Sequence, residues 1–503
     1  MKPYPVFFIL AMCWLSACIP IVMETPPAVS TSTSTPSLTF ATPLIPTEPF
    51  VPSPTPLPLV SVAFYRVQVE YRTTSDWSVL ELLTPDHVLT TRVIDIVGEP
   101  TSYVANPERL ALNQPLPAAE VGDEVGMIVE YALAPEMVEQ TLEYRLQRGA
   151  LNASVIRFFD ATGGEMRRIE TIVHDQPIQT DPGFNTIEFT LDLGQLAGEE
   201  PEIMQLTPAP REKLLWAFYY PWYSSNDWAS PALKDHPLTR YSSGDETAIA
   251  RQIQEAQSAG IDGFISSWWG PGSESDRNLS RLLASAQEMG FWVTIYFETL
   301  AGEDGSPLSE EDIYAWLAYA IPRYRDQPAF FKMDGKPLIV IWASASVPLE
   351  SWQRVFTRLE GEALEAVFLA MGYDLGSLEI FDGLHDYGVF MYPDLARTYQ
   401  NIGRAVRYYP LLTSEQAQKI WAATVQPGYD DTLLPGREGL VRDREEGAFY
   451  RRTFEAALAS DPDFIFITSW NEWWEHTYIE PGEKYGNLFL QITREYAGRW
   501  KGP

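Results

Sequence analysis

The feature that most narrows the fold lies after Pro210, where short apolar runs recur eight times and alternate with stretches of helical period. The runs are Leu214 to Tyr220, Ile261 to Trp268, Phe291 to Phe297, Pro337 to Trp342, Ala366 to Met371, Phe381 to His385, Trp421 to Gln426 and Phe464 to Thr468. Between the first two, the stretch 245–260 starts acidic, sets Ile249, Ile253 and Ala256 on one face and ends at a glycine, which is the pattern of a capped helix. The stretches 275–289, 309–325, 393–408, 441–459 and 485–498 read the same way. Strands alternating with helices predict parallel β/α units, and eight of them in about 290 residues predict a (β/α)8 TIM barrel over 210–500. A doubly wound open sheet shows the same alternation. No Gly-x-Gly-x-x-Gly or P-loop follows any strand, however, so a nucleotide site has no support.

Ahead of the barrel the period is two. Tyr65, Val67, Val69 and Tyr71 alternate with Arg66, Gln68, Glu70 and Arg72, and the alternation returns at Leu142, Tyr144, Leu146 and at Ile187, Phe189, Leu191, Leu193. A Gly-Gly turn at 160–165 joins two further apolar runs as a hairpin. These features predict a β-sandwich over 60–205. Its single tryptophan, Trp77, is the one flat platform it could offer a sugar, so a spacing role competes with a binding role.

The first 59 residues read as an address and a tether. Lys2 precedes the apolar run Val6 to Leu15, too short for a permanent membrane helix but the length of a signal h-region. It ends in Leu15-Ser16-Ala17-Cys18, which resembles the bacterial lipoprotein box. That resemblance implies a signal peptide over 1–18, lipidation of Cys18 and an extracytoplasmic protein anchored to a bacterial membrane; an ordinary secretory signal with an incidental cysteine is the alternative. Cys13 is the only other cysteine, so the processed chain would keep no free thiol and no disulfide. Residues 19–59 hold eleven prolines, thirteen Ser or Thr and no glycine, the composition of a disordered, extended linker reaching on the order of 100 Å.

With 68 acidic against 36 basic residues the formal charge is −32, and no window carries a compensating basic stripe, which argues against a nucleic-acid partner. The five histidines show no metal-ligand spacing, and nothing calls for a cofactor. Aromatic residues are abundant at 13%, and fourteen of the sixteen tryptophans follow residue 210.

In a barrel, chemistry gathers at the C-terminal ends of the strands. Those positions hold Tyr219, Tyr220, Trp222 and Tyr223 after the first run, Trp268 and Trp269 after the second, then Glu298, Trp342, Asp374, His385 with Asp386, and Tyr429. The last run is followed by Trp470, Asn471, Glu472, Trp473, Trp474 and Glu475. Flat aromatic faces stack on sugar rings, and paired carboxylates serve glycosidic cleavage as acid and nucleophile or base. Trp216, in mid-strand, is expected to fill the barrel, whereas one of Trp268 and Trp269 is expected to line the mouth. His385 reads equally as a substrate contact or a barrel residue. A bare Glu-x-x-Glu is common on solvated helix surfaces, but Glu472 and Glu475 sit among tryptophans just past a strand, where a general acid would find its pKa raised.

Several motifs then occur in order: Phe218-Tyr219-Tyr220-Pro221-Trp222-Tyr223, His236-Pro237, Tyr241-Ser242-Ser243, Ser267-Trp268-Trp269-Gly270-Pro271-Gly272, Pro427-Gly428-Tyr429-Asp430-Asp431-Thr432 and the stretch from Ser469 to Pro481. Together they resemble the endo-α-mannosidase-like glycoside hydrolases of family 99 and their α-1,3-glucanase relatives. The resemblance implies a metal-free barrel that cleaves α-mannosidic bonds with retention. It also implies roles: Glu472 as the base that takes the proton of the sugar 2-hydroxyl so that an epoxide forms, and Glu475 as general acid and later base. Tyr429 and Glu298 match positions that meet the reacting sugar. The family motif carries His, Gly and Gln where this chain has Trp474, His476 and Tyr478, departures expected to reshape the pocket. The sequence thus points to a surface-anchored glycosidase acting within an oligosaccharide or polysaccharide substrate. Catalysis is expected from Glu472 and Glu475, and substrate contacts from Tyr220, Trp222, Tyr223, Trp268, Trp269, Glu298, His385, Tyr429, Asn471 and Trp474. A non-catalytic glycan-capturing lipoprotein and a glycosyl transferase on a similar barrel share most of these features.

Overall fold

The computed structural model describes residues 59–502 apart from 115–123, 150–152, 177–184, 207–211, 303–304, 414–417 and 437. Cys18, the signal segment and the proline-rich stretch to residue 58 lie outside the described residues.

Strands Val60–Thr73, Val88–Val97, Val125–Leu133, Ser154–Asp160, Arg167–His174 and Glu202–Leu206 form one antiparallel sheet. Trp77–Leu82, Ser102–Asn106, Arg109–Asn113, Thr141–Arg148 and Asn185–Asp192 form a second. Val67, Val69 and Tyr71 of the first share one buried cluster with Leu80, Leu142, Tyr144 and Leu146 of the second, as period two demands of a sandwich. The alternate residue Arg66 faces outward, between Glu130 and Glu202. The 160–165 turn closes a hairpin between Ser154–Asp160 and Arg167–His174, with Gly163 and Gly164 both at positive φ. Trp77 is half-buried at a strand start.

The barrel strands are β1 Leu214–Tyr219, β2 Gly263–Trp268, β3 Trp292–Glu298, β4 Lys336–Trp342, β5 Val367–Met371, β6 Gly383–His385, β7 Ile420–Val425 and β8 Phe464–Ile467. All are parallel, and pairing of β1 with β8 closes the ring. Every residue of β1, β2, β7 and β8 is buried, because one face meets the barrel interior and the other the helices. Trp216 fills the interior, and β2 opens on Gly263 for a steric reason: a Cβ there would lie 2.3 Å from the Trp216 ring.

Around the strands run α1 Glu246–Ser258, α2 Glu274–Met289, α3 Glu310–Tyr324, α4 Leu349–Gly361, α5 Leu395–Tyr408, α6 Ala448–Ala459 and α7 Leu488–Lys501. Side chains of Asp245, Ser273, Ser309 and Asp394 cap α1, α2, α3 and α5 by accepting a free amide of the first turn. Two differences from the sequence expectation stand out. The helix expected over 441–459 begins only at Ala448, since Glu446 and Gly447 adopt positive φ and Val441–Arg442 instead pairs with Tyr429–Asp430. Helix α4 was not among the expected stretches, although Trp352, Val355, Phe356 and Leu359 form its buried stripe. Between β5 and β6 there is only a 3-10 turn, Leu375–Glu379. The sandwich packs against this side of the barrel: Phe64, Ala132 and Leu206 share a buried cluster with Leu411 and Leu412, and Thr90 donates to the Ala405 carbonyl at 2.8 Å.

Candidate active site

The loop after β8 carries the two candidate catalytic carboxylates and is closed at its neck. Ser469 N donates to the Thr477 carbonyl (2.9 Å), their hydroxyls meet at 2.8 Å, and Ile479 N returns to the Ser469 carbonyl (2.9 Å). Between these anchors Glu472 and Glu475 are 2% and 4% exposed, so both are buried but reachable. Neighbouring loops supply their partners. The Tyr223 hydroxyl, from the β1 loop, donates to Glu472 Oε1 at 3.1 Å, and Trp474 N donates to the same oxygen at 3.0 Å. The Tyr429 hydroxyl, from the β7 loop, lies 3.0 Å from Asp431 Oδ2 and 3.4 Å from Glu475 Oε1. Its ring is stacked on Phe390 with centroids 4.4 Å apart.

A third carboxyl, Glu298 at the end of β3, is 4% exposed and accepts from Ser267 Oγ at 2.6 Å. Burial pushes its pKa up to about 8; the Ser267 hydrogen bond opposes the shift and the charge of Glu475 adds to it. At neutral pH Glu298 therefore keeps its proton and can donate as well as accept a hydrogen bond. Burial, reinforced by Tyr387 and by the charges of Glu472 and Glu298, also raises the Tyr220 phenol well above its ordinary value.

Aromatic rings surround the carboxyls. Tyr220 and Trp222 lie 4.6 Å apart, Trp222 reaches Trp269 at 6.4 Å, and the Tyr223 ring stacks between Trp228 at 4.9 Å and Trp474 at 6.2 Å. Trp222, Trp269 and Trp474 are half-buried, which leaves part of each ring open at the mouth. The Trp269 indole donates to Ser267 Oγ at 3.0 Å, linking it to Glu298.

Three expected substrate contacts are placed elsewhere. Trp268 is fully buried on the helix side of β2: its indole donates to Asp276 Oδ1 at 3.0 Å and it packs on Trp316 and Tyr319, because adjacent strand residues face opposite ways. His385 is fully buried inside the barrel among Phe218, Tyr296 and Phe466, donates from Nε2 to the Ile341 carbonyl at 3.0 Å and is held neutral by burial, its pKa lowered to about 4. Asn471 spends its amide on the protein: Oδ1 accepts from Tyr220 N (2.7 Å), while Nδ2 donates to the Tyr220 carbonyl (3.0 Å) and the Tyr241 hydroxyl (3.1 Å). Of the three departures from the family motif, Trp474 alone stays partly exposed. His476 and Tyr478 are buried, Tyr478 stacking on Trp473 at 3.7 Å and under the Arg444 guanidinium at 4.2 Å.

One residue of the site was not expected. Tyr387, two positions beyond β6, is 9% exposed and packs edge-on to Tyr220 and Phe218; burial first, and then the charges of Glu475 and Glu472, raise its phenol well above the ordinary value. Its place just past a strand end was the available signal. Glu480, buried and raised to about 7 by desolvation, is held by Tyr241, Gln252 and the Trp473 indole, and braces the loop from behind.

The model of glycosyl hydrolase family 99 matches residues 232–486, which take in the loops after β7 and β8 together with Glu298 and begin after Tyr220, Trp222 and Tyr223. The chain belongs to glycosyl hydrolase family 99. Among family 99 relatives, the glycoprotein endo-alpha-1,2-mannosidase of Rattus norvegicus is 24% identical over 360 residues, covering 58% of this chain and 76% of its own. The glycoprotein endo-alpha-1,2-mannosidase-like protein of Homo sapiens is 25% identical over 363 residues, covering 58% and 77%. A solved family 99 structure, the endo-alpha-mannosidase of Bacteroides thetaiotaomicron, superposes with a TM-score of 0.50 at 24% identity over 58% of this chain and 98% of that one, and so shares the barrel fold. As a family 99 protein, this chain is a glycoside hydrolase.

Proposed function

We propose that the protein cleaves α-mannosidic or closely related α-linked bonds within a glycan, with retention of configuration, through Glu472 and Glu475. The observation that carries this reading is that both carboxylates are buried at the mouth on one pinned loop, each beside a phenol from a different loop, Tyr223 and Tyr429. The name of the Rattus norvegicus relative, a glycoprotein endo-alpha-1,2-mannosidase, supports the linkage and the internal site of attack.

In this reading Glu472 takes the proton of the sugar 2-hydroxyl while its oxygen attacks C1. Glu475 gives its proton to the departing glycosidic oxygen, leaving a 1,2-anhydro sugar. Glu475 then takes a proton from the water that attacks C1, and Glu472 returns its proton to O2, so two inversions restore the starting configuration. Neutral Glu298 is suited to donate to a hydroxyl of the same sugar. Trp222, Trp269 and Trp474 offer faces for its neighbours.

The test is hydrolysis of a panel of α-mannosides and α-glucans, with the released anomer followed by NMR. Glu472→Gln and Glu475→Gln are each expected to lower kcat about a thousandfold or more. Undiminished turnover in both variants, or first release of the inverted anomer, refutes the assignment. The sequence around Cys18 supports the further proposal that the enzyme works outside the cytoplasm, tethered to a membrane by lipid.

A further inference from the structure

The link between β5 and β6 is eleven residues, 372–382, and holds a 3-10 turn where the other strand connections leave room for a longer segment. The sandwich docks on it. The hairpin formed by Ser102–Asn106 and Arg109–Asn113 points its tip at the barrel, and Asn106 Oδ1 holds the tip by accepting from the amides of Glu108 and Arg109 at 3.0 and 3.1 Å. From that tip Asn106 Nδ2 donates to the Tyr373 carbonyl at 3.1 Å, and Ala105 N donates to Asp374 Oδ1 at 2.9 Å. Glu108 accepts from Thr398 and Asn401 of α5 at 3.1 and 2.9 Å. Beside it, Arg92 pairs with Glu379 at 2.7 Å.

These contacts continue inward. The Tyr373 ring packs on Tyr392 with centroids 5.4 Å apart. The Tyr392 hydroxyl donates to Asp386 Oδ2 at 2.8 Å, and Asp386 Oδ1 accepts from Tyr387 N at 2.7 Å. Tyr387 is tied to the loop that carries Glu472 and Glu475: its carbonyl accepts from Thr468 Oγ1 at 2.8 Å, and its ring packs edge-on, at 6.5 Å, to that of Tyr220, whose amide is held by Asn471. The sandwich, residues 60–206, lies outside the stretch 232–486 matched by the family 99 model.

We propose that the sandwich is part of the active site's framework: its hairpin tip, through Asn106 and Ala105, fixes Tyr373 and Asp374, and through Tyr392 and Asp386 sets the position of Tyr387 beside the two catalytic carboxylates. Asn106, Asp374 and Tyr392 act as positioning residues, since none of them is placed against the substrate. The claim rests on the glycosidase reading for its consequence in turnover, but its structural half stands by itself.

Two measurements on the full chain test it. Hydrogen–deuterium exchange of the segment 386–392 is expected to quicken in Asn106→Ala and in the milder Asp374→Asn. Thr90→Val, which weakens the same interface away from this route, is expected to lower the melting temperature and leave that segment and kcat unchanged. In kinetics, Asn106→Ala and Tyr392→Phe are each expected to lower kcat about tenfold with little change in KM, and the double variant to be no worse than the poorer single one. Unchanged exchange at 386–392 overturns the proposal, and so does a double variant whose losses multiply. Failure of the glycosidase reading looks different: Glu475→Gln would retain its turnover while the exchange result held.

Discussion

Glu298 gives the most quantitative handle on this site. Its pKa is raised from 4.5 to about 8 in the folded protein, chiefly by desolvation. Below pH 4.5 the carboxyl is neutral in both folded and unfolded chains and contributes no pH dependence. Between 4.5 and 8 the folded chain keeps a proton that the unfolded chain has lost, so stability falls as pH rises, by roughly 1.4 kcal/mol per pH unit. At pH 7 the accumulated cost is roughly 3 kcal/mol, and above 8 it levels off. Glu298→Gln keeps the shape and the acceptor for Ser267 Oγ and removes the titration. Urea denaturation of both proteins from pH 4 to 9 isolates the effect, because every other group is common to the pair. The variant is expected to gain on the wild type steadily from pH 5 to 8, and Glu475→Gln to shrink that gain by removing the charge that adds to the shift. Two stability curves that stay parallel across this range would refute the reasoning.

The two adjacent tryptophans should separate cleanly. Trp268→Ala empties a fully buried site and is expected to cost about 3–5 kcal/mol of stability, read by denaturant midpoint. Trp269→Ala should leave that midpoint nearly unmoved and raise KM for an oligosaccharide substrate. If Trp269→Ala unfolds the protein while Trp268→Ala alters only KM, the placement is reversed. For the anchor, metabolic labelling with a lipid precursor in a bacterial host should depend on Cys18; label retained by Cys18→Ala would refute lipidation there.

The barrel was legible because its strands are buried on both faces and therefore read as unbroken apolar runs, such as Leu214 to Tyr219 and Phe464 to Ile467. The candidate carboxylates were legible because strand ends are where barrel chemistry gathers. What sequence could not phase was the direction of a side chain at such an end. Gly270 and Gly272, both at positive φ, end the strand right after Trp268 and Trp269, so alternation alone could not say which ring faced the mouth. His385 was ambiguous for a related reason: β6 is three residues long, too short for a periodic pattern to form. The sandwich contacts were out of reach altogether, since Ala105 and Asp374 stand 269 residues apart and only tertiary packing joins them. Helix α4, by contrast, was written plainly in the 352, 355, 356 and 359 stripe.

Asn471 divides the β8 loop into what can vary and what cannot. Its side chain stands in for a peptide group, presenting donor and acceptor to the backbone of Tyr220 and so adding one rung between the first and last strands past the end of the sheet. Aspartate would lack the donor and set a charge against the Tyr220 carbonyl, and glutamine would overreach by a methylene. Trp474, three residues on, has a half-exposed ring with no comparable duty. A descendant chain turning to a different glycan could exchange that ring for another that still stacks on Tyr223 while the amide stayed, so architecture and specificity would evolve on separate residues of one short loop.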